Sequence, residues 1–244
     1  MNSLIRSAET FAISDSIAQT SSNLSVNSEP QHSVSQGILQ LVENVHPQRQ
    51  NLQQFIAAGF AKHYQANVRQ FMPYLLGVSL SGNWQAALGI RFAGSEPLFT
   101  EQYLPARAES VLQQINTGCQ RSDIAEIGHL YAQSRQALMQ LFVLMVQALH
   151  QLHVRHLLFA ATADLQRMLK RHGITLSTVA EADPACLGDK ARDWGSYYDK
   201  QPQVCVLTVS QAAERIQSDA RLQQLIFRHW PQLHALVATL QDTL

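Results

Sequence analysis

The sequence predicts one domain of the α/β class built on a mixed sheet, and three observations carry that reading. Two β-like runs flank Ser81-Gly82-Asn83 in "LLGVSLSGNWQAALGIRFAG" (75–94), the signal of a hairpin with a three-residue turn and a central glycine. Apolar runs at about 123–132 and 153–162 bracket a helical pattern at about 134–152. Strand, helix, strand over so short a stretch is a βαβ unit, whose two strands run parallel with a right-handed crossover. A late β-like run, "VCVLTV" (204–209), is followed by helical periodicity to the end of the chain.

Residues 1–35 are rich in Ser, Asn, Gln and Thr with scattered apolar residues and are expected to form a poorly ordered leader. The α/β domain is expected over 36–209, and helices packed on it over 210–244. In 50–68, Leu52, Phe55, Ile56, Phe60 and Tyr64 recur at helical spacing. The segment 105–117 reads as a helix with Pro105 at its first position. "ADLQRMLKRHG" (163–173) is a helix stopped by Gly173. Two further helices, roughly 210–228 and 231–243, are separated at Pro231. Leu225, Leu233, Leu236 and Leu240 on these helices could pack on the domain or form a dimer contact.

Composition narrows the function classes. Hydrophobic residues make up 46% of the 244, and charged ones only 15%, below the usual quarter or so. Glutamine fills the difference, with 29 Gln against 18 Lys plus Arg. A net charge of zero gives no cationic surface for nucleic acid or anionic lipid. Cys119, Cys186 and Cys205 fit neither a disulfide framework nor a zinc pattern and read as free thiols of a reducing, cytoplasmic compartment. The first residues lack a continuous apolar run, so no secretory signal is expected, and no window has the length of a membrane span. "LMQLFVLMVQALHQL" (138–152), interrupted by Gln140, Gln147 and His150, is read as a buried helix. His150, His153 and His156 repeat every three residues across a helix end and a turn. They need not share a face and no carboxylates accompany them, so no metal site is expected.

Chemistry concentrates at the first core strand and the corner beyond it. In "IAEIGHLYAQSRQALMQLF" (124–142) only Glu126 and His129 interrupt the apolar run. On an alternating strand Glu126 shares a face with Ile124, Gly128 and Leu130. A carboxylate there is paired with a cation, solvated at a strand end, or desolvated with a raised pKa, as a general base for an amine requires. The corner "YAQSRQA" (131–137) is where βαβ units collect ligands: Ser134 can cap the helix, and Arg135 could reach an anionic group or simply face solvent. Arg91 could bind a carboxylate and Glu101 an acceptor amine, or the two could pair with each other. Tyr197 and Tyr198 in "GSYYDKQP" are either a reactive phenol site or an aromatic pair between core and surface.

The order of hairpin, helix, strand, corner, helix and strand resembles the GNAT acyltransferase superfamily. Blocks over about 55–204 resemble, more specifically, the thermostable hemolysin family: "FMPYLLGV" (71–78), "AALGIRFAGSEPLFTEQYL" (86–104), "IAEIGHLYA" (124–132), "LLFAATADLQRMLKRHGI" (157–174) and "ADPACLGDKARDWGSYYDKQPQV" (182–204). A fainter similarity, in Arg91 and Glu126, is to the acyl-homoserine-lactone synthases. Those carry an arginine where this chain has His129. The GNAT resemblance implies a fold in which two splayed parallel strands hold the acyl-phosphopantetheine arm of coenzyme A or of acyl carrier protein, as a co-substrate and not a resident cofactor. It implies that Leu130, Tyr131, Ala132, Ser134, Arg135, Gln136 and Thr162 contact that donor. It further implies an amine acceptor beside Arg91, Glu101 and His129, with Glu126 as base and Tyr197 or Tyr198 as acid. The corner lacks the glycines of the usual GNAT phosphate loop, which suits the single phosphodiester of a carrier protein better than a pyrophosphate. The rivals are a membrane-lytic toxin, which the family name implies, and a GNAT fold that binds without catalysing.

Overall fold

The central hairpin is buried on both faces, its alternate residues entering two different cores. In the computed structural model, which describes residues 37–115 and 117–241, β2 (Tyr74–Leu80) and β3 (Asn83–Phe92) form that hairpin. The turn has two residues, not three. Ser81 and Gly82 both adopt positive φ (50° and 79°), which matches the twist of the flanking strands, and Asn83 pairs opposite Leu80. β1 (Ile38–Val42) adds antiparallel to β2, and β4 (Ile124–Ala132) antiparallel to β3. β5 (His156–Ala161) lies parallel to β4, and β7 (Gln203–Thr208) runs antiparallel to β5. β6 (Ser177–Glu181) forms the far edge. The described residues thus give one seven-stranded mixed sheet, ordered β1-β2-β3-β4-β5-β7-β6.

One face of the sheet is covered by α3 (Arg135–Gln151), with Leu141, Phe142, Val143, Leu144 and Met145 all at 0% exposure. Burial of this kind is worth about 1.5–3 kcal/mol per large side chain. The helix is buried on nearly every side because α5 (Val209–Gln217), α6 (Ala220–Arg228) and α7 (Trp230–Gln241) pack over it. Leu233, Leu236 and Leu240 join the same core as the sheet residues. The helix expected over 210–228 is two helices, because Asp219 leaves helical geometry and caps α6 through the N–H groups of Arg221 and Leu222. Pro231 sits in the first turn of α7, where its missing N–H costs nothing.

The other face carries α1 (Arg49–Tyr64), which lays Leu52, Ile56, Phe60 and Tyr64 against Leu75, Ala87 and Tyr131. The buried Arg49 guanidinium fixes the start of α1 by donating to the carbonyls of Val42, Met72 and Pro73. α2 is shorter than the expected 105–117 and spans Ala108–Gln113. The Glu101 carboxylate accepts from the Ala108 N–H at 3.0 Å, which sets the helix start after Pro105. α4 (Ala163–Arg171) follows β5 directly and is capped by Thr162. Strands β1 and β6 and the 3₁₀ segments Thr100–Tyr103, Pro184–Trp194 and Tyr197–Lys200 add to the expected elements. The leader expected over 1–35 lies outside the described residues. Among those described, no helix is long and apolar enough to cross a membrane.

Candidate active site

The parallel pair at the centre of the sheet comes apart. β4 and β5 are in register only at Ile124–His156, Ala125–Leu157 and Glu126–Leu158, although β4 runs on to Ala132 and β5 to Ala161. A bulge in β4 accompanies the parting. The β3 register passes from Gly89–Gly128 to Ala87–Tyr131, so two residues of β4 oppose one of β3, and His129 takes φ 55°. The extra residue inverts the alternation beyond it. Ala125 and Ile127 face the α3 core, as do Leu130 and Ala132 after the bulge, while Tyr131 turns to the α1 face. Leu130 therefore does not share a face with Glu126, as simple alternation had it.

The gap opens into a cavity of about 420 Å³. Its walls come from both faces of the sheet: Leu138 and Leu165 on the α3–α4 side, and Phe60, Phe71 and Phe99 on the α1 side. The size and the mostly apolar wall with a few convergent polar groups are those of a small-molecule site. Trp194 closes one side, its ring 5.7 Å from both Phe99 and Tyr197 and 6.1 Å from Phe60. Backbone bonds from Asn67 N–H to the Asp193 carbonyl (2.6 Å) and from Ser196 N–H to the Tyr64 carbonyl (2.7 Å) lace this segment to the end of α1. Gly195 between them has φ 52°, and a Cβ there would overlap the Tyr64 carbonyl oxygen.

Glu126 is wholly buried at the point where the strands part. One carboxylate oxygen accepts the Thr100 N–H at 2.6 Å and the other the Phe99 N–H at 2.8 Å. Arg91, its cross-strand neighbour on β3, approaches to 3.9 Å. Burial pushes the carboxyl pKa up, while Thr100, the Phe99 N–H and the Arg91 charge pull the other way. Glu126 thereby anchors the start of the Thr100–Tyr103 turn, and the hydroxyl of Tyr103 at the turn's end meets that of Tyr198 at 2.5 Å. Burial drives both phenols above their ordinary value, Tyr198 to about 12. Tyr197 donates to the Ala160 carbonyl of β5 at 3.3 Å, packs edge-on against Tyr64, and is likewise raised by burial.

His129 stacks on Trp194 (6.3 Å between ring centres, 19° between planes) and lies 5.4 Å from Phe71. Its Nδ1 is inaccessible to solvent and has no hydrogen-bond partner. Burial first, then the Arg91 charge, lowers the imidazole to about 4 against a hydrogen bond to the Gln70 backbone, so the ring is neutral near pH 7.

Of the residues expected to meet a substrate, Arg91, Glu126, His129, Leu130, Ala132, Thr162, Tyr197 and Tyr198 line the one cavity. Five do not. Glu101 is turned away and held by Arg121 at 2.6 and 3.1 Å and by the Leu98 and Ala108 N–H groups, which keep its carboxyl at about 2 against the desolvation of its site. It pairs with neither Arg91 nor the cavity; Arg91 instead donates to the Pro97 carbonyl and lies 3.4 Å from Glu96. Tyr131 is packed 4.9 Å from Phe55 because of the bulge. Ser134 accepts from the Ala137 N–H as the cap of α3. Arg135 and Gln136 are exposed in the first turn of that helix, beyond the cavity wall. Tyr103, Phe71, Met72 and Trp194 line the same cavity, although no local motif marks them. The segments "FMPYLLGV" and "WGSYYD" contain all of them but Tyr103, which lies in "PLFTEQYL". Among the described residues no group of three or more His, Cys, Asp and Glu could hold a metal ion.

A sequence model of the thermostable hemolysin family matches residues 42–213. No curated protein sequence matches the chain. Among solved structures the fold is similar to the acyl-homoserine-lactone synthase LasI, at a TM-score of 0.52 and 12% identity over 72% of this chain and 91% of that one. It is similar also to apo TofI, at 0.51 and 12% over 75% and 98%. A third is BjaI, described as a CoA-dependent acyl-homoserine lactone synthase, with SAM and isopentyl-CoA, at 0.51 and 9% over 79% and 89%. At such identities the likeness is one of fold, and that fold is the GNAT-like one with its parted central strands.

Proposed function

The chain belongs to the thermostable hemolysin family, and from that premise we propose that it is an acyltransferase, moving an acyl group from a thioester to an amine. The observation that carries the reading is the loss of pairing between β4 and β5 after Glu126 and Leu158, with a cavity of about 420 Å³ in the gap. Unpaired strand edges inside a sheet are costly unless something else uses their polar groups. An extended arm carrying amides, such as phosphopantetheine, supplies partners of the right kind. Its phosphate end would leave toward Arg135 and Gln136 at the start of α3, where a helix N-terminus favours an anion. The donor is coenzyme A or acyl carrier protein, and the acceptor is a small amine.

The residues divide the work. The amine nitrogen attacks the thioester carbon; the C–N bond forms as the C–S bond breaks, and the departing sulfur needs a proton. Tyr198 is placed for that role, because Tyr103 can donate to its oxygen and leave the Tyr198 hydrogen for the sulfur. Tyr197, already bonded to Ala160, holds the β5 side of the gap. Glu126 fixes the turn that carries Tyr103 and offers its remaining lone pairs to an N–H of the incoming neutral amine.

The test is thiol release from octanoyl-CoA, octanoyl-pantetheine and octanoyl-acyl carrier protein, each with the standard amino acids and simple diamines. Release that depends on an amine and yields an amide of the expected mass supports the proposal. A folded protein that releases thiol from no pair, or that empties liposomes without any thioester, refutes it.

A further inference from the structure

We propose that Nδ1 of His129 is the proton acceptor of this reaction, taking the hydrogen of the attacking amine. The inference rests on the acyl-transfer reading and assigns within it a step that Glu126 is poorly arranged to perform. Each Glu126 oxygen already accepts a backbone N–H, at 2.6 and 2.8 Å, so protonating it would weaken the bonds that hold the Thr100–Tyr103 turn. His129 has the opposite arrangement. The bulge sets its backbone at φ 55°, and the side chain lines the cavity within 6.3 Å of Trp194 and 5.4 Å of Phe71, which fix the ring plane. Nδ1 is buried and unpartnered, although the great majority of buried polar atoms are bonded. An orphaned acceptor on a ring that lines a substrate-sized cavity is satisfied most simply by the substrate, once a small turn of the ring brings it to the cavity surface.

The charged groups around the ring are Arg91 on β3, Glu126 on β4 and Arg49 on α1, with Arg69, Lys190 and Asp193 on the other cavity walls. The imidazole is neutral when the amine arrives, since burial and Arg91 hold its pKa low. A free ammonium would not protonate so weak a base. The nitrogen becomes far more acidic once it has bonded to the thioester carbon, and its proton can then pass to Nδ1. The thiolate takes the Tyr198 proton, and the His129 proton returns through water to the Tyr198 oxygen. Amine and thioester become amide and thiol with nothing left over.

The experiment uses the full chain, octanoyl-CoA, and an amine that the wild type acylates. His129→Asn keeps a residue that tolerates positive φ, and His129→Gly removes the ring at a position where glycine is unstrained. Both are expected to lower kcat by about 10²–10⁴-fold with an unchanged Kd for octanoyl-CoA. Added imidazole is expected to restore the Gly variant by at least about tenfold, because the vacated space beside Trp194 accepts the missing ring. A kcat for folded His129→Asn within about twofold of wild type overturns the inference. So does a loss confined to octanoyl-CoA affinity, or a Gly variant that imidazole does not restore. Where the wild type uses only octanoyl-acyl carrier protein, the same variants are read with that donor; if it acylates no amine from octanoyl-CoA, octanoyl-pantetheine or octanoyl-acyl carrier protein, the acyl-transfer reading fails and takes this step with it, an outcome visible before any variant is made.

Discussion

Replacing Glu126 with glutamine separates anchoring from solvation at the centre of the sheet. The carboxylate gives one oxygen to Thr100 N–H and the other to Phe99 N–H. Glutamine keeps one oxygen and presents an NH₂ to the second N–H, which is then left buried without an acceptor. Leaving that buried N–H without an acceptor costs about 1–3 kcal/mol. A net loss of about 2 kcal/mol is expected, a fall in Tm of about 4–8 °C for a chain of this length. Calorimetry at pH 7 measures it. The pH dependence gives a second reading. Burial raises the folded-state carboxyl above its unfolded value, so the stability it contributes is fully present below about pH 4.5 and is lost as pH rises through the raised value. Glu126→Gln removes that slope. An unchanged Tm at pH 7 with an unchanged pH profile would refute the anchoring role.

Other expectations follow from the same geometry. His129 is depressed to about 4, so its contribution is present above the ordinary 6.5 and is lost as pH falls from there toward 4; the loss amounts to as much as about 3 kcal/mol, and urea midpoints of His129→Asn at pH 7, 5 and 4 should flatten accordingly. Glu101 is held near 2 by Arg121 and two N–H groups, and Glu101→Gln should remove a stabilisation that wild type keeps above pH 4.5 and loses toward 2, visible in acid titration followed by circular dichroism. Gly195→Ala forces a Cβ against the Tyr64 carbonyl at positive φ; tryptophan fluorescence should report Trp194 displaced, with a stability loss above about 1 kcal/mol. Tyr198→Phe leaves the Tyr103 hydroxyl without its partner, at about 1–3 kcal/mol, and Tyr103→Phe,Tyr198→Phe should cost less than the two single changes together in a double-mutant cycle.

The elements with strong periodicity were legible: β4, α3 and β5 fall within a few residues of their expected bounds, because long apolar runs between polar corners leave little choice. β1 and β6 escaped notice, being five-residue strands at the sheet edges with no clean alternation of burial. At the site the residue types are legible but the bulge is not, and a one-residue insertion in the pleat reverses every later side chain. That is why Leu130 and Tyr131 changed faces. Glu101 was misjudged because its partner, Arg121, lies 20 residues away in sequence and carries no local signature. Ser134 was legible as a cap, since capping depends on neighbours within one turn. Tyr103 becomes recognisable only once Glu126 is seen to hold the turn beneath it.

The most direct measurement is a crystal structure of the protein with a non-hydrolysable octanoyl-pantetheine thioether. The account predicts the arm lying between residues 127–132 of β4 and 159–161 of β5, with its amides bonded to the strand edges and its sulfur within reach of Tyr198. An arm bound elsewhere, with the gap closed or filled by Tyr197 and Trp194, would contradict it.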